Sequence, residues 1–148
     1  MKPFGLPKQE RISSRKTIDR LFGGGHSKSM SAFPLRMVYM VEPLDGGSMP
    51  QAQMMVSVPK RCFKRAVRRN RAKRQVREAY RHAKPKLLHY MAEQQPGQSV
   101  KMAFIWLDAN EHDTALVAQR VESLLQRLQE RLAAQAPSPG DTAKQPQP

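Results

Sequence analysis

Apolar and polar positions change rhythm several times along this chain. Within residues 15–22, Ile18, Leu21 and Phe22 share one face of a short helix, which Ser13 and Ser14 can cap and Gly23, Gly24 and Gly25 can end. Residues 26–32 are small and polar and read as a loop. Alternation begins at Leu35, with Leu35, Met37, Tyr39 and Val41 on one face and Arg36, Val38 and Met40 on the other, so 35–42 predicts a strand partly covered on both sides. A connection rich in Gly and Pro, 43–50, leads to a second strand at 53–58, and the two are expected to pair antiparallel.

Pro59 stops that strand. No Gly or Pro follows until Pro85, so one helix of about twenty residues is expected between them. At 100° per residue, Ala72, Val76, Ala79, Tyr80, Ala83 and Leu87 form one stripe that should face the core, while Asn70, Lys73 and Arg77 line up along its edge. Val67 falls opposite the stripe. Residues 100–107, VKMAFIWL, are apolar except for Lys101, as expected of a strand at the centre of a sheet. Leu116, Val117, Val121, Leu124, Leu125, Leu128 and Leu132 then recur at helical spacing. The predicted order is αββαβα, in an α+β two-layer sandwich with a mixed sheet. One domain over 1–134 is expected, its first ten or so residues extended, followed by a disordered tail at 135–148 that is too poor in apolar residues to fold.

Composition changes the picture at one point. The 148 residues carry a net charge of +14, and 13 of the 26 Lys and Arg residues lie between Lys60 and Lys86. A solvated helix face normally mixes signs, because like charges four residues apart repel. Here Arg65 with Arg69, Lys73 with Arg77, and Arg77 with Arg81 all repel, which a bound phosphate backbone would relieve. Nucleic acid is therefore the expected partner. A membrane surface would call for a lipid-facing apolar side on the basic helix; no run is long enough to span a bilayer and the N-terminus lacks a signal-peptide core, so a cytoplasmic location is expected.

Candidate chemistry is sparse. The single cysteine, Cys62, excludes an internal disulfide framework and reads as a small apolar residue. His26, His82, His89 and His112 are scattered without metal-ligand spacing, and Asp108, Glu111 and Asp113 read as acids favoured at the start of the last helix. Gly23 to Gly25 follow a helix instead of opening one, so they do not form a phosphate loop. No catalytic side chains and no metal ligands are assigned. A basic helix on a sheet, with Phe22 and Tyr39 as candidate stacking residues, suits single-stranded RNA better than the DNA major groove.

The run RNRAKRQVRE at 69–78 closely resembles the RNR signature of the protein subunit of bacterial ribonuclease P. The similarity extends to the first helix ending in Phe22, the strand carrying Tyr39, the VSVPKR stretch at 56–61, VKMAFIWL and the last helix. It implies the fold of ribosomal protein S5 domain 2, with a left-handed βαβ crossover. It also implies a ribonucleoprotein endonuclease that removes the 5′ leader of precursor tRNA, with the chemistry and most of the Mg2+ on the RNA subunit. Carried over by position, Lys60, Arg61, Arg65, Arg68, Arg69, Asn70, Arg71, Lys73, Arg74 and Arg77 would meet the catalytic RNA, and Ile18, Phe22, Met37 and Tyr39 would line a leader cleft between the sheet and the first helix. Ile18 stands where an aromatic is expected, which leaves apolar contact there. The implied partners are the catalytic RNA and precursor tRNA, with no membrane and no stable protein partner. The alternative is a non-catalytic ribosomal or chaperone-type RNA-binding protein.

Overall fold

The computed structural model describes residues 11–12, 15–23, 27–44 and 50–135. Ser13 and Ser14 as caps, Gly24 and Gly25 in the helix stop, His26, most of the 43–50 connection, the extended first ten residues and the tail from 136 lie outside the described residues. The elements are α1 (Arg15–Gly23), β1 (Lys28–Ala32), β2 (Leu35–Pro43), β3 (Ala52–Ser57), α2 (Ala66–Gln94), β4 (Gln98–Trp106) and α3 (Thr114–Gln135). They form a mixed sheet with strand order β1-β2-β4-β3, in which α2 is the crossover between the parallel neighbours β3 and β4.

Alternation of side chains across the strands divides the core in two. Leu35, Met37 and Tyr39 of β2, Met54 and Val56 of β3, and Val100, Met102, Phe104 and Trp106 of β4 point to the face covered by α2 and α3. Val38 and Met40, with Ala103, point to the other face, where they meet Leu21 of α1 and Ile12, with Ile18, Met55 and Ile105 packed around them. Strand β4 is the one expected at the centre: seven of its nine residues are buried.

Three expectations are corrected. The segment expected as a loop contains β1, an edge strand with only Met30 buried. Hydrophobic alternation cannot reveal such a strand. It is held by antiparallel pairing to β2, from Lys28↔Tyr39 to Ala32↔Leu35, and by α3 along its outer edge. There Arg127 donates to the Ser31 carbonyl at 2.7 Å, Arg120 to that of Phe33 at 2.9 Å and Arg131 to that of Ser29 at 3.5 Å. Those donors occupy carbonyls that an open edge would leave as a template for aggregation.

The strands β2 and β3 run antiparallel but do not pair, because β4 inserts between them and pairs with both. An apolar strand covered on both faces gains most at that central position. Finally, α2 runs 29 residues with Pro85 inside it. Proline removes one helical hydrogen bond, but the buried stripe continues through Leu87 and Met91, both fully buried, and their burial is worth more than the lost bond. The stripe of Ala72, Val76, Ala79 and Tyr80 is buried as its spacing predicts, and Val67 is 73% exposed.

Gln51 clamps the far end of α2. Its side-chain amide reaches the carbonyls of Gln95 at 2.9 Å, Gln98 at 3.1 Å and Met91 at 3.2 Å, tying the helix terminus to the start of β4.

Candidate nucleic-acid interface

The basic helix emerges from a turn that the core holds in place. Phe63 is buried against Trp106, with ring centroids 6.1 Å apart, and Cys62 closes a turn through its N–H to the Pro59 carbonyl at 3.0 Å. Cys62 is itself buried within the main core. Arg69 reaches back from the first turn of α2, and its guanidinium donates to the carbonyls of Phe63 at 2.9 Å and Lys64 at 2.8 Å. No side chain caps the helix at Arg65 and its first turn carries no acid, so the positive end of the helix dipole adds to the side-chain charge.

From this seat the cations fan outward. Lys60, Arg61, Arg65, Arg68, Asn70, Arg71, Arg74 and Arg77 are exposed, while Arg69 and Lys73 are half-buried beside the stripe. Arg68 lies over the Phe63 ring, its guanidinium carbon 4.9 Å from the centroid, a cation–π arrangement that fixes its direction. Glu111 faces Arg68 at 2.9 Å and Arg71 at 3.8 Å. The hydrogen bond from Arg68, reinforced by the charges of Arg68 and Arg71, holds the Glu111 carboxyl below the usual glutamate range. Lys60, Arg61, Arg65, Lys73, Arg74 and Arg77 form no ion pair with any described residue. Of the repelling pairs, that of Arg77 and Arg81 is relieved through an ion pair between Arg81 and Glu78.

A second feature lies on the opposite face of the sheet. A recess of about 280 Å³ opens between the end of α1 and strands β1 and β2, lined by Leu21, Phe22, Ser27, Lys28, Ser29, Arg36 and Val38. Phe22 is 47% exposed at this recess, and Ile18 packs half-buried on the same side. The helix is fastened above the sheet by Arg20, which pairs with Glu42 at 2.6 Å; the buried Lys101 ammonium lies 4.0 Å from the same carboxylate and 2.8 Å from Ser99 Oγ. Met37 and Tyr39 cannot line this recess. They point through the sheet to the α2 and α3 side, fully or almost fully buried, and Tyr39 meets Arg131 of α3 through its hydroxyl at 3.4 Å. Both phases of β2 are apolar, so alternation identifies two faces without saying which one meets α1. From β2 it is Arg36 and Val38 that line the recess.

The Ribonuclease P family profile matches residues 6–129. The chain belongs to the ribonuclease P protein family. Proteins named Ribonuclease P protein component from two strains of Porphyromonas gingivalis are 38% and 37% identical to it over 138 residues, 91% of the chain and 91% of each relative. The fold agrees with solved structures of the Staphylococcus aureus RNase P protein. One has a TM-score of 0.56 at 17% identity, covering 80% of this chain and 94% of that one. The other, a mutant with defective mRNA degradation activity, has a TM-score of 0.58 at 17% identity, covering 82% and 89%.

For a ribonuclease P protein, the residue that sequence reasoning passes over on the signature side is Glu111. Its place in the chain suits the dipole of α3, yet it pairs with Arg68, 43 positions away, and no periodicity joins them. Asp108, from the same group, instead takes His112 at 2.6 Å, and that hydrogen bond lowers its pKa. Among the described residues no three His, Cys, Asp or Glu side chains are arranged to hold a metal ion, and no helix is long and apolar enough to cross a membrane.

Proposed function

We propose that this chain is the RNA-binding protein subunit of a cytoplasmic ribonucleoprotein endonuclease that removes the 5′ leader of precursor tRNA. The signature side of α2 docks on the catalytic RNA, and the recess beside α1 holds the single-stranded leader. The observation that carries the reading is the row of Lys60, Arg61, Arg65, Lys73, Arg74 and Arg77, exposed or half-buried and without ion pairs among the described residues, on α2 and the core-held turn that leads into it. Each phosphate such a row neutralises releases counterions and adds roughly one unit to the salt dependence of binding.

In this reading the leader runs past Phe22, which is placed for base stacking, and past Lys28 and Arg36, which meet its phosphates. Ile18 and Val38 contribute apolar contact. Two RNA polyanions repel one another, and the cationic subunit offsets that repulsion when little magnesium is present. The basic surface suits phosphate and would repel a divalent cation, so Mg2+ is assigned mainly to the RNA subunit, with the bond-breaking chemistry.

The test is reconstitution. Purified protein added to a bacterial catalytic ribonuclease P RNA should accelerate leader removal at low magnesium and favour leader-bearing over mature tRNA. Cleavage unchanged across protein concentrations would favour the non-catalytic RNA-binding alternative, and cleavage by the protein without RNA would overturn the assignment of chemistry to the RNA subunit.

A further inference from the structure

The turn between β1 and β2 presents an aromatic ring to solvent and fixes everything around it. Phe33 is 59% exposed. Its carbonyl accepts from Arg120 Nε at 2.9 Å, and the Pro34 carbonyl accepts the Leu107 N–H at 2.8 Å. One residue pair earlier, the Ser31 carbonyl accepts from Arg127. The backbone is thus tied to both α3 and the end of β4, and the ring has little freedom to fold back onto the core.

Behind the ring stands a ladder of aromatic groups. His112 meets Phe33 edge-on, with centroids 6.0 Å apart and planes at 88°, and lies 5.8 Å from the buried Trp106 ring. His112 is held by Asp108 through its ring and by Gln75, whose amide donates to the His112 carbonyl at 2.9 Å. Leu107, 39% exposed, adjoins the turn.

A lone exposed phenylalanine is ordinary. What distinguishes this one is its surroundings. Glu111, the residue before His112, pairs with Arg68 and Arg71, and Arg120 lies beneath the turn, so a pinned ring borders the cationic signature surface. Of the three acids at this corner, Asp108 and Glu111 are engaged by His112 and Arg68, and Asp113 is exposed at the start of α3. An apolar ring beside guanidinium groups fits an unstacked nucleobase with its flanking phosphates.

We infer that Phe33, backed by His112 and Leu107, is a stacking platform for an unpaired base of the catalytic RNA, which extends the signature interface around the end of the sheet. The inference rests on the function proposed above and assigns the occupant to the RNA subunit, because the flanking cations Arg68 and Arg71 belong to the signature surface. The leader recess is lined by other residues, on the opposite face.

The full-length protein is titrated with a bacterial catalytic ribonuclease P RNA. Phe33→Ala should weaken binding about tenfold, within the range for loss of one stacked base, with the slope of log affinity against log salt unchanged. Phe33→Leu should lose most of the same affinity, whereas Phe33→Trp should keep it and show quenching of its added surface indole on RNA binding. Wild-type affinity in a folded Phe33→Ala or Phe33→Leu protein, or an indole signal unmoved at saturating RNA, would overturn the inference while leaving the proposed function intact. If the wild-type protein itself fails to bind the RNA, the function falls and the platform falls with it. Leader-bearing precursor tRNA alone should bind the Phe33→Ala protein as it binds the wild type; a loss confined to that ligand would move the platform from the RNA subunit to the substrate and overturn the assignment.

Discussion

Glu111 lies 2.9 Å from Arg68 and, through its second oxygen, 3.8 Å from Arg71, so one carboxylate occupies two cations of the signature surface. In the proposed function it competes with phosphate for them. Glu111→Gln should therefore tighten binding to the catalytic RNA by about two- to fivefold and steepen the salt dependence by up to roughly one unit. A filter-binding series at several salt concentrations reads both quantities. Weaker binding by the folded variant would mean that Glu111 serves chiefly to aim the two arginines.

The same contact fixes the sign of an acid effect. Arg68 holds the Glu111 pKa below 4.5, His112 holds that of Asp108 below 3.8, and Arg81 holds that of Glu78 below 4.5. Groups with depressed folded values contribute stability above their unfolded pKa and lose it as pH falls through the folded one. These three carboxylates should thus lose their contribution to stability in the acid range, below about pH 4.5. Thermal melts of the wild type and Glu111→Gln should converge as pH is lowered through that window.

Arg69 and Arg74 are neighbours in one signature with different work. Arg69 closes the turn before α2 through the Phe63 and Lys64 carbonyls, whereas Arg74 is exposed and forms no ion pair with the described residues. Arg69→Ala should cost about 1–2 kcal/mol of stability through lost charged hydrogen bonds. Arg74→Ala should leave the melting temperature in place and weaken RNA binding with a shallower salt slope. Parallel calorimetry and RNA titration separate the two.

Phe22 and Tyr39 divide in the same way. Tyr39→Ala should destabilise by roughly 3–5 kcal/mol, as loss of a fully packed aromatic does, and Tyr39→Phe should bind leader-bearing tRNA like the wild type. Phe22→Ala should melt near the wild-type temperature but lower the preference for leader-bearing over mature tRNA by about fivefold or more, the contribution of one stacked base. The affinity ratio for the two tRNAs is the measurement.

Gln51→Ala offers a control far from both surfaces. Its amide has two hydrogens shared among three carbonyls, and removing it should cost about 1–3 kcal/mol by leaving half-buried acceptors unmet. RNA affinity of the folded variant should be unchanged.

What could be read before the structure was known follows from where the physics is local. The α2 stripe through Val76 and Tyr80, the leucine repeat of α3 and the doubly covered strand ending at Trp106 each depend on periodic burial, which the residue pattern records directly. Strand β1 escapes because its stability comes from backbone pairing and from arginines of α3 about ninety to a hundred residues away. Met37 and Tyr39 lie on the face under α2 and α3, which the pattern does not reveal because β2 is apolar in both phases and does not say which face α1 covers. Pro85 suggested a stop because its local cost is visible and the burial of Leu87 and Met91 beyond it is tertiary. The cationic surface was plain in the residues at 60–77, but its internal competitor Glu111 was not, since an ion pair across 43 positions leaves no periodic trace.

Helix α2 spans about 43 Å at 1.5 Å per residue, and its buried residues run from Ala72 to Met91. A helix gripped along most of its length has already lost its conformational freedom before it meets a partner. Its encounter with RNA should then proceed without a coupled folding step, at a rate set by long-range attraction and diffusion. Stopped-flow association should be fast and second-order up to high RNA concentration, slow steeply as ionic strength rises, and show no concentration-independent ordering phase.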